Sequence, residues 1–141
     1  MFTLHPQLDN DCFTLGRFEL CRLLMMNDAS YPWFILVPER SELREIHHLD
    51  EGDQQQLISE SSALASAIET AFAAEKINVA ALGNLVPQLH IHHIARYASD
   101  PSWPAPVWGK HPAKPYNDRL RDERIEQLLD QLQRPLYPVD C

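Results

Sequence analysis

The sequence predicts an α+β fold, an antiparallel sheet with one long helix packed on it and a further helix near the carboxy terminus. Three observations lead there. The run Trp33-Phe34-Ile35-Leu36-Val37 is bulky, partly β-branched and bounded by Pro32 and Pro38, so it is too short for a helix and suits a central or doubly covered strand. Apolar residues recur at helical spacing from Leu57 to Phe72. Two later strand-like runs, Ile77 to Leu82 and Gln88 to about Tyr97, are separated by only a few residues. That gap suits an antiparallel hairpin, whereas a parallel crossover needs a dozen residues or more.

In chain order, Phe18 to Met26 reads as the first strand, ended by the turn-forming Asn27-Asp28 and Ser30. Trp33 to Val37 is the second. Asp50 is placed to cap a helix, with Asp53 three residues on as an acidic form of the capping box. That helix runs to about Ala74 and presents Leu57, Ser61, Leu64, Ile68 and Phe72 on one face, with Ala65 and Ala71 beside them. Ile77 to Leu82 is the third strand, ended at Gly83-Asn84, and Gln88 to Tyr97 the fourth. From Pro101 to Pro115 five of 15 residues are proline, which predicts an irregular strap that Trp103 and Trp108 anchor, in a core or at a dimer interface, or in which they wall a pocket. A last helix spans about 117–133, with Leu120, Ile125, Leu128, Leu129 and Leu132 on one side.

The 141 residues suit a single domain, 1–141, and 45% apolar content is enough to build a core without a disulfide or metal staple. A formal charge of −8 opposes attraction to a phosphate backbone, so no nucleic-acid partner is expected. Cys12, Cys21 and Cys141 are odd in number and lack CxxC spacing, which points to a reducing, cytoplasmic setting. Asp9 and Asp11 stand where a secretion signal would be basic and apolar, and no apolar run approaches a bilayer span, so no membrane partner is expected. The four scattered glycines form neither GxGxxG nor GxxxxGK[ST], so any phosphate chemistry uses another device.

The segment Val86-Pro87-Gln88-Leu89-His90-Ile91-His92-His93-Ile94-Ala95-Arg96 is the informative one. Strand side chains alternate, so Gln88, His90 and His92 share a face at a repeat of roughly 6.6 Å, while Leu89, Ile91 and His93 face the other way. Two imidazoles projecting together from a rigid element suit metal coordination, or a nucleophile with a supporting partner. They equally suit plain polar residues on a half-exposed face. His93 falls where an apolar residue is expected and reads as a packed histidine without chemistry, His47 and His48 as loop residues.

The same segment resembles the histidine-triad family, whose motif is His-φ-His-φ-His-φ-φ with φ apolar. Trp33 to Pro38 is similar to that family's upstream His-φ-φ-φ-φ-Pro strand, and the helix after Asp50 and the stretch Ile77 to Asn84 follow in family order, so the likeness covers about residues 15 to 110. It implies an antiparallel α+β fold, usually homodimeric, that binds a nucleotide phosphate over the histidine strand. It further implies His90 as the nucleophile toward the α-phosphorus, His92 beside the phosphate, and Asn84 and Gln88 as substrate contacts. Gln88 stands where the family has its first histidine and cannot take up a proton at neutral pH, Trp33 stands where many members have another histidine, and the Asn84–Gln88 connection lacks the longer Gly- and Ser/Gln-bearing loop.

The resemblance therefore implies a hydrolase or nucleotidyltransferase that cleaves a phosphoramidate or phosphoanhydride through a nucleotidyl-histidine, with no metal and no cofactor required. Two alternatives stand beside it: a noncatalytic nucleotide-binding or dimeric interaction protein, and a metal site on His90-Ile91-His92 completed by His47, His48 or His111.

Overall fold

Two strands of this chain are buried along their whole length, and the topology sets them side by side in one sheet. In the computed structural model, which describes residues 1–139, five antiparallel strands run β1 (Cys12–Arg17), β2 (Cys21–Met26), β3 (Trp33–Pro38), β4 (Lys76–Ala80) and β5 (Ile91–Arg96), in the spatial order β1-β2-β3-β5-β4. Every residue of β3 and β5 is buried, as the doubly apolar run at Trp33 predicts, and β4 pairs antiparallel with β5 as expected, although the connection between them, 81–90, is longer than the few residues the sequence suggests. Cys141 lies outside the described residues.

Alternation along the strands sorts the core into two layers. Leu23, Met25, Phe34, Leu36, Ile91 and Ala95 face the long helix α2 (Glu51–Phe72), which supplies Leu57, Leu64, Ala67 and Ile68. Leu24, Trp33, Ile35, Val37 and Ile94 face the other way, against Leu4 and Leu8 of the amino-terminal segment and Val107 of the proline-rich strap. Asp50 caps α2 through its carboxylate, which accepts from the Asp53 amide at 2.8 Å. The helix stops at Phe72 rather than Ala74 because Ala73 turns left-handed, at φ 49°.

Glu60, also on the buried face of α2, has no exposed surface. Its carboxylate accepts from the backbone amides of Leu20 and Cys21, each at 2.9 Å, and from Gln56 at 2.7 Å, so the helix is tied to the β1–β2 hairpin without an opposing charge.

Several expectations are corrected. A short helix α1 (Pro6–Asp11) and the whole of β1 precede the first expected strand, which itself begins at Cys21 because Phe18 to Leu20 form the turn. Gly16 belongs to this added hairpin, at a register shift, and a Cβ there would stand 2.8 Å from both Leu136 Cγ and the Tyr137 carbonyl oxygen. The third strand ends at Ala80 rather than Leu82. The last helix, here α3 (Asp118–Gln131), is capped by Asn117 and buries only Leu128, while Leu129, expected on the inner face, is 40% exposed.

Candidate functional site

The histidine strand is shorter than its sequence pattern. β5 begins at Ile91, opposite Leu36, while β4 ends at Ala80, opposite His92, so Gln88 to His90 run beyond β4 and lie outside the ladder that β5 makes with β3. The backbone there finds another partner, the Leu89 amide donating to the Leu43 carbonyl at 2.8 Å. His90 thus sits at the mouth of the ladder and His92 inside it.

Their rings lie 4.9 Å apart, centre to centre, in an edge-to-face arrangement, and the two residues are 7% and 4% exposed. Hydrogen bonding fixes a different tautomer for each. His90 Nδ1 is 2.7 Å from the Gln88 carbonyl oxygen, which can only accept, so Nδ1 carries the proton and Nε2 keeps its lone pair. Trp33 Nε1 donates to His92 Nδ1 at 3.0 Å, and an indole N–H can only donate, so the neutral His92 ring carries its proton on Nε2. Burial pushes both rings below the ordinary histidine value, and His92, which also feels repulsion from charge on His90 and on its chain neighbour His93, falls to about 3. At neutral pH the site holds one unprotonated imidazole nitrogen beside one imidazole N–H donor.

Aromatic residues close in on His92. The Trp33 ring is 5.6 Å away, and Trp108, reaching over from the strap, is 5.0 Å from it and 5.8 Å from Trp33, both edge-on. Trp108 packs against the core layer around Trp33 and Ile94 and also lines a cavity beside the site, so its position fits both the anchor and the wall expected of it. Trp103 does otherwise: it is 39% exposed and lies against the Arg96 guanidinium at 5.8 Å.

Behind Trp33 and Trp108 opens a cavity of about 520 Å³, lined in addition by Leu85, Asn10, Asn27 and Asp28. A second, of about 440 Å³, lies at the Gln88 end between His5, Arg44, Glu42 and Pro87.

Gln88 is committed elsewhere. Its side-chain oxygen accepts from the His5 amide at 2.8 Å and its nitrogen donates to the Thr3 carbonyl at 2.9 Å, so the side chain latches the amino-terminal segment, and it is the backbone of Gln88 that orients His90. The Gln88 side chain is thus engaged by the amino-terminal segment while also lining the second cavity. Asn84 is exposed in the bend between β4 and β5, one residue before Leu85 of the larger cavity. The latch and the Trp33 bond were invisible in the sequence; the paired departures at positions 33 and 88 were the only signal of a rebuilt support.

His93 is buried on the opposite face, its Nδ1 donating to the Ile91 carbonyl at 3.0 Å and its Nε2 accepting from Ser61 at 2.7 Å, and burial lowers it to about 4. It is a packed, bonded core residue. His47 and His48 are exposed in a 3-10 turn with rings 4.6 Å apart. Among the described residues no three His, Cys, Asp or Glu side chains converge as a metal ion would require. No described helix is long and apolar enough to cross a membrane.

The strap is held by Arg96 at the end of β5. Its guanidinium donates to both oxygens of Asp100 at 2.8 and 3.1 Å, to Asn78 at 2.8 Å and to the Ala105 carbonyl at 2.8 Å, with only 2% of the side chain exposed. Burial opposes ionisation of Asp100, but Arg96 and the amides of Tyr97 and Ser102 prevail and hold its carboxyl at about 2.

Comparison with known proteins gives this geometry a context. A family model described as the HIT domain matches residues 7–99. A histidine triad protein of Marinobacter aquaeolei is 50% identical, with 94% of this chain and 97% of that one covered at a TM-score of 0.91. Another from Sinorhizobium meliloti is 41% identical over 94% and 98%, at a TM-score of 0.92, and one from Bradyrhizobium japonicum 40% identical over 93% and 98%, at 0.91. No functionally curated protein matches the sequence.

Proposed function

The chain belongs to the histidine triad family, and from that premise we propose that it is a nucleotide-binding hydrolase or nucleotidyltransferase that cleaves a phosphoramidate or phosphoanhydride at the α-phosphorus. The observation that carries this reading is the pair of opposed tautomers: His90 Nε2 is free to attack because the Gln88 carbonyl holds the proton on Nδ1, and His92 offers Nε2–H beside it. His90 Nε2 forms a bond to phosphorus while the bond to the leaving group breaks; water then attacks the phosphorus, the P–N bond breaks, and its electron pair returns to Nε2. His92 donates to a phosphoryl oxygen in both steps, where charge builds beside largely buried side chains.

The larger cavity, with Trp33, Trp108 and Leu85 as apolar walls and Asn10, Asn27 and Asp28 as polar ones, offers a flat base stacking surface and a ribose hydrogen-bond partners. Asn84, at the cavity's lip, contacts phosphate or leaving group. The protein is cytoplasmic and works as a homodimer, for which the β4 edge, with Val79 at 53% exposure and, just beyond the strand, Leu82 at 48%, is a suitable face.

A second reading, nucleotide binding without turnover, is favoured by the near-complete burial of both histidines. Steady-state release of AMP from a diadenosine polyphosphate by wild type and His90→Ala, with AMP affinity measured for both, separates them. Turnover lost in His90→Ala with affinity retained supports the enzyme; binding by wild type with no turnover selects the second reading.

A further inference from the structure

We propose that the site is built for nucleotide substrates whose leaving group departs as an anion without needing a proton, phosphoanhydrides and acyl phosphates, and that it discriminates against phosphoramidates of alkylamines. This rests on the nucleotidyl-transfer reading of His90. When His90 Nε2 bonds to phosphorus and a P–O bond breaks, the electron pair stays on a phosphate or carboxylate oxygen, a stable anion at neutral pH. When a P–N bond breaks instead, the pair falls on an amine nitrogen that must gain a proton as it leaves, so a general acid has to stand beside it.

Every group placed to be that acid is already committed. His92 would have to carry two protons, but its Nδ1 faces the Trp33 N–H at 3.0 Å, and a second proton would set donor against donor; in its neutral form the remaining Nε2–H can be shared but not given up. Gln88 has no titratable proton, and both ends of its amide are bound to the amino-terminal segment. The Nδ1–H of His90 is held by the Gln88 carbonyl.

His5, the other imidazole at this end of the strand, accepts the Gln7 amide on Nδ1 at 3.0 Å as the cap of α1, so that nitrogen is already engaged. His93 lies on the far face of the sheet, bound to Ser61. The cavity at the Gln88 end carries Arg44, which attracts a departing anion, with Glu42 as the opposing charge on its rim. Trp33 is thus a positioning residue: it makes His92 a fixed donor to the phosphoryl group and denies it the role of proton carrier.

The test compares two adenylyl substrates that differ only in the leaving group, an anhydride of AMP with a phosphate and an N-alkyl phosphoramidate of AMP. For wild type the expected kcat/KM ratio favours the anhydride by about 100-fold or more, the scale of a missing general acid. Trp33→His, which puts a titratable partner opposite His92 Nδ1, is expected to narrow that ratio at least about tenfold. Trp33→Phe is expected to lower kcat on the anhydride with little change in KM, and to shift the ¹⁵N resonances of His92 away from a pure Nε2–H tautomer. His5→Asn, which keeps a capping oxygen, is expected to leave the ratio unchanged.

Equal or faster cleavage of the phosphoramidate by wild type overturns the inference while leaving His90 chemistry standing. Loss of phosphoramidate turnover in His5→Asn alone also overturns it, by identifying an acid. Neither turnover nor a nucleotidyl adduct with either substrate removes the underlying reading and the inference with it.

Discussion

Replacing Arg96 with methionine keeps an unbranched chain of similar reach and removes the charge that ties the proline-rich strap to the sheet. Four hydrogen bonds go with it, two to Asp100 and one each to Asn78 and the Ala105 carbonyl. The larger consequence falls on Asp100, a 4% exposed carboxylate left with amide donors but no countercharge. Breaking one partner of such a buried pair costs about 3–5 kcal/mol, which for a chain of this size lowers Tm by about 10–15 °C at a few degrees per kcal/mol.

Urea denaturation of wild type and Arg96→Met measures the loss. Arg96→Met with Asp100→Asn should recover part of it, since an asparagine oxygen still accepts from the backbone and no charge is stranded. Because the strap carries Trp108 against His92, tryptophan emission should shift to the red before the main unfolding transition in Arg96→Met. A loss below about 1 kcal/mol, with emission unchanged, would refute the idea that this buried pair fastens the strap.

Three buried or nearly buried histidines couple stability and activity to pH. His92 and His93, held neutral at about 3 and about 4, titrate near 6.5 in the unfolded chain, so the unfolded state binds more protons below 6.5 and stability falls as pH drops from 6.5 toward those values. By pH 5 each accounts for about 2 kcal/mol of lost stability, to be read from urea midpoints at pH 7 and 5; His93→Gln should flatten the slope, and an unchanged slope would count against a neutral buried His93. Burial lowers His90 from the ordinary histidine value, so the acid limb of kcat/KM should fall below pH 6.5 rather than at it, and a limb at or above 6.5 would count against a buried nucleophile. At Ala73, where the helix cap holds φ at 49°, Ala73→Gly should stabilise by about 0.5–1 kcal/mol in thermal melts, whereas destabilisation would place the strain elsewhere.

What could be read in the sequence was what local chemistry decides. The bracketed run at Trp33 and the Asp50 cap each specify their element without help from distant residues, and alternation alone put His90 and His92 on one face and His93 on the other. What could not be read depended on partners. Six residues of α1 are too few to display a period, and the register shift at Gly16 breaks the alternation of β1. β5 starts late because β4 runs out beside it and the Leu89 amide turns to the Leu43 carbonyl, facts about other segments. Leu129 keeps its place on an apolar stripe yet stays exposed, since α3 packs through Leu128. At the site, the two departures from the triad pattern were visible as substitutions, but their consequences, an indole bonded to His92 and a glutamine turned to the amino-terminal segment, follow only from the fold.

The most direct test of nucleophilic catalysis at His90 is the intact mass of the protein, rapidly quenched after mixing with an AMP anhydride, followed by peptide mapping of any adduct. The expected result is one adenylyl group on His90 in wild type and none in His90→Ala. Turnover by wild type without an adduct, or an adduct that persists in His90→Ala, would contradict it.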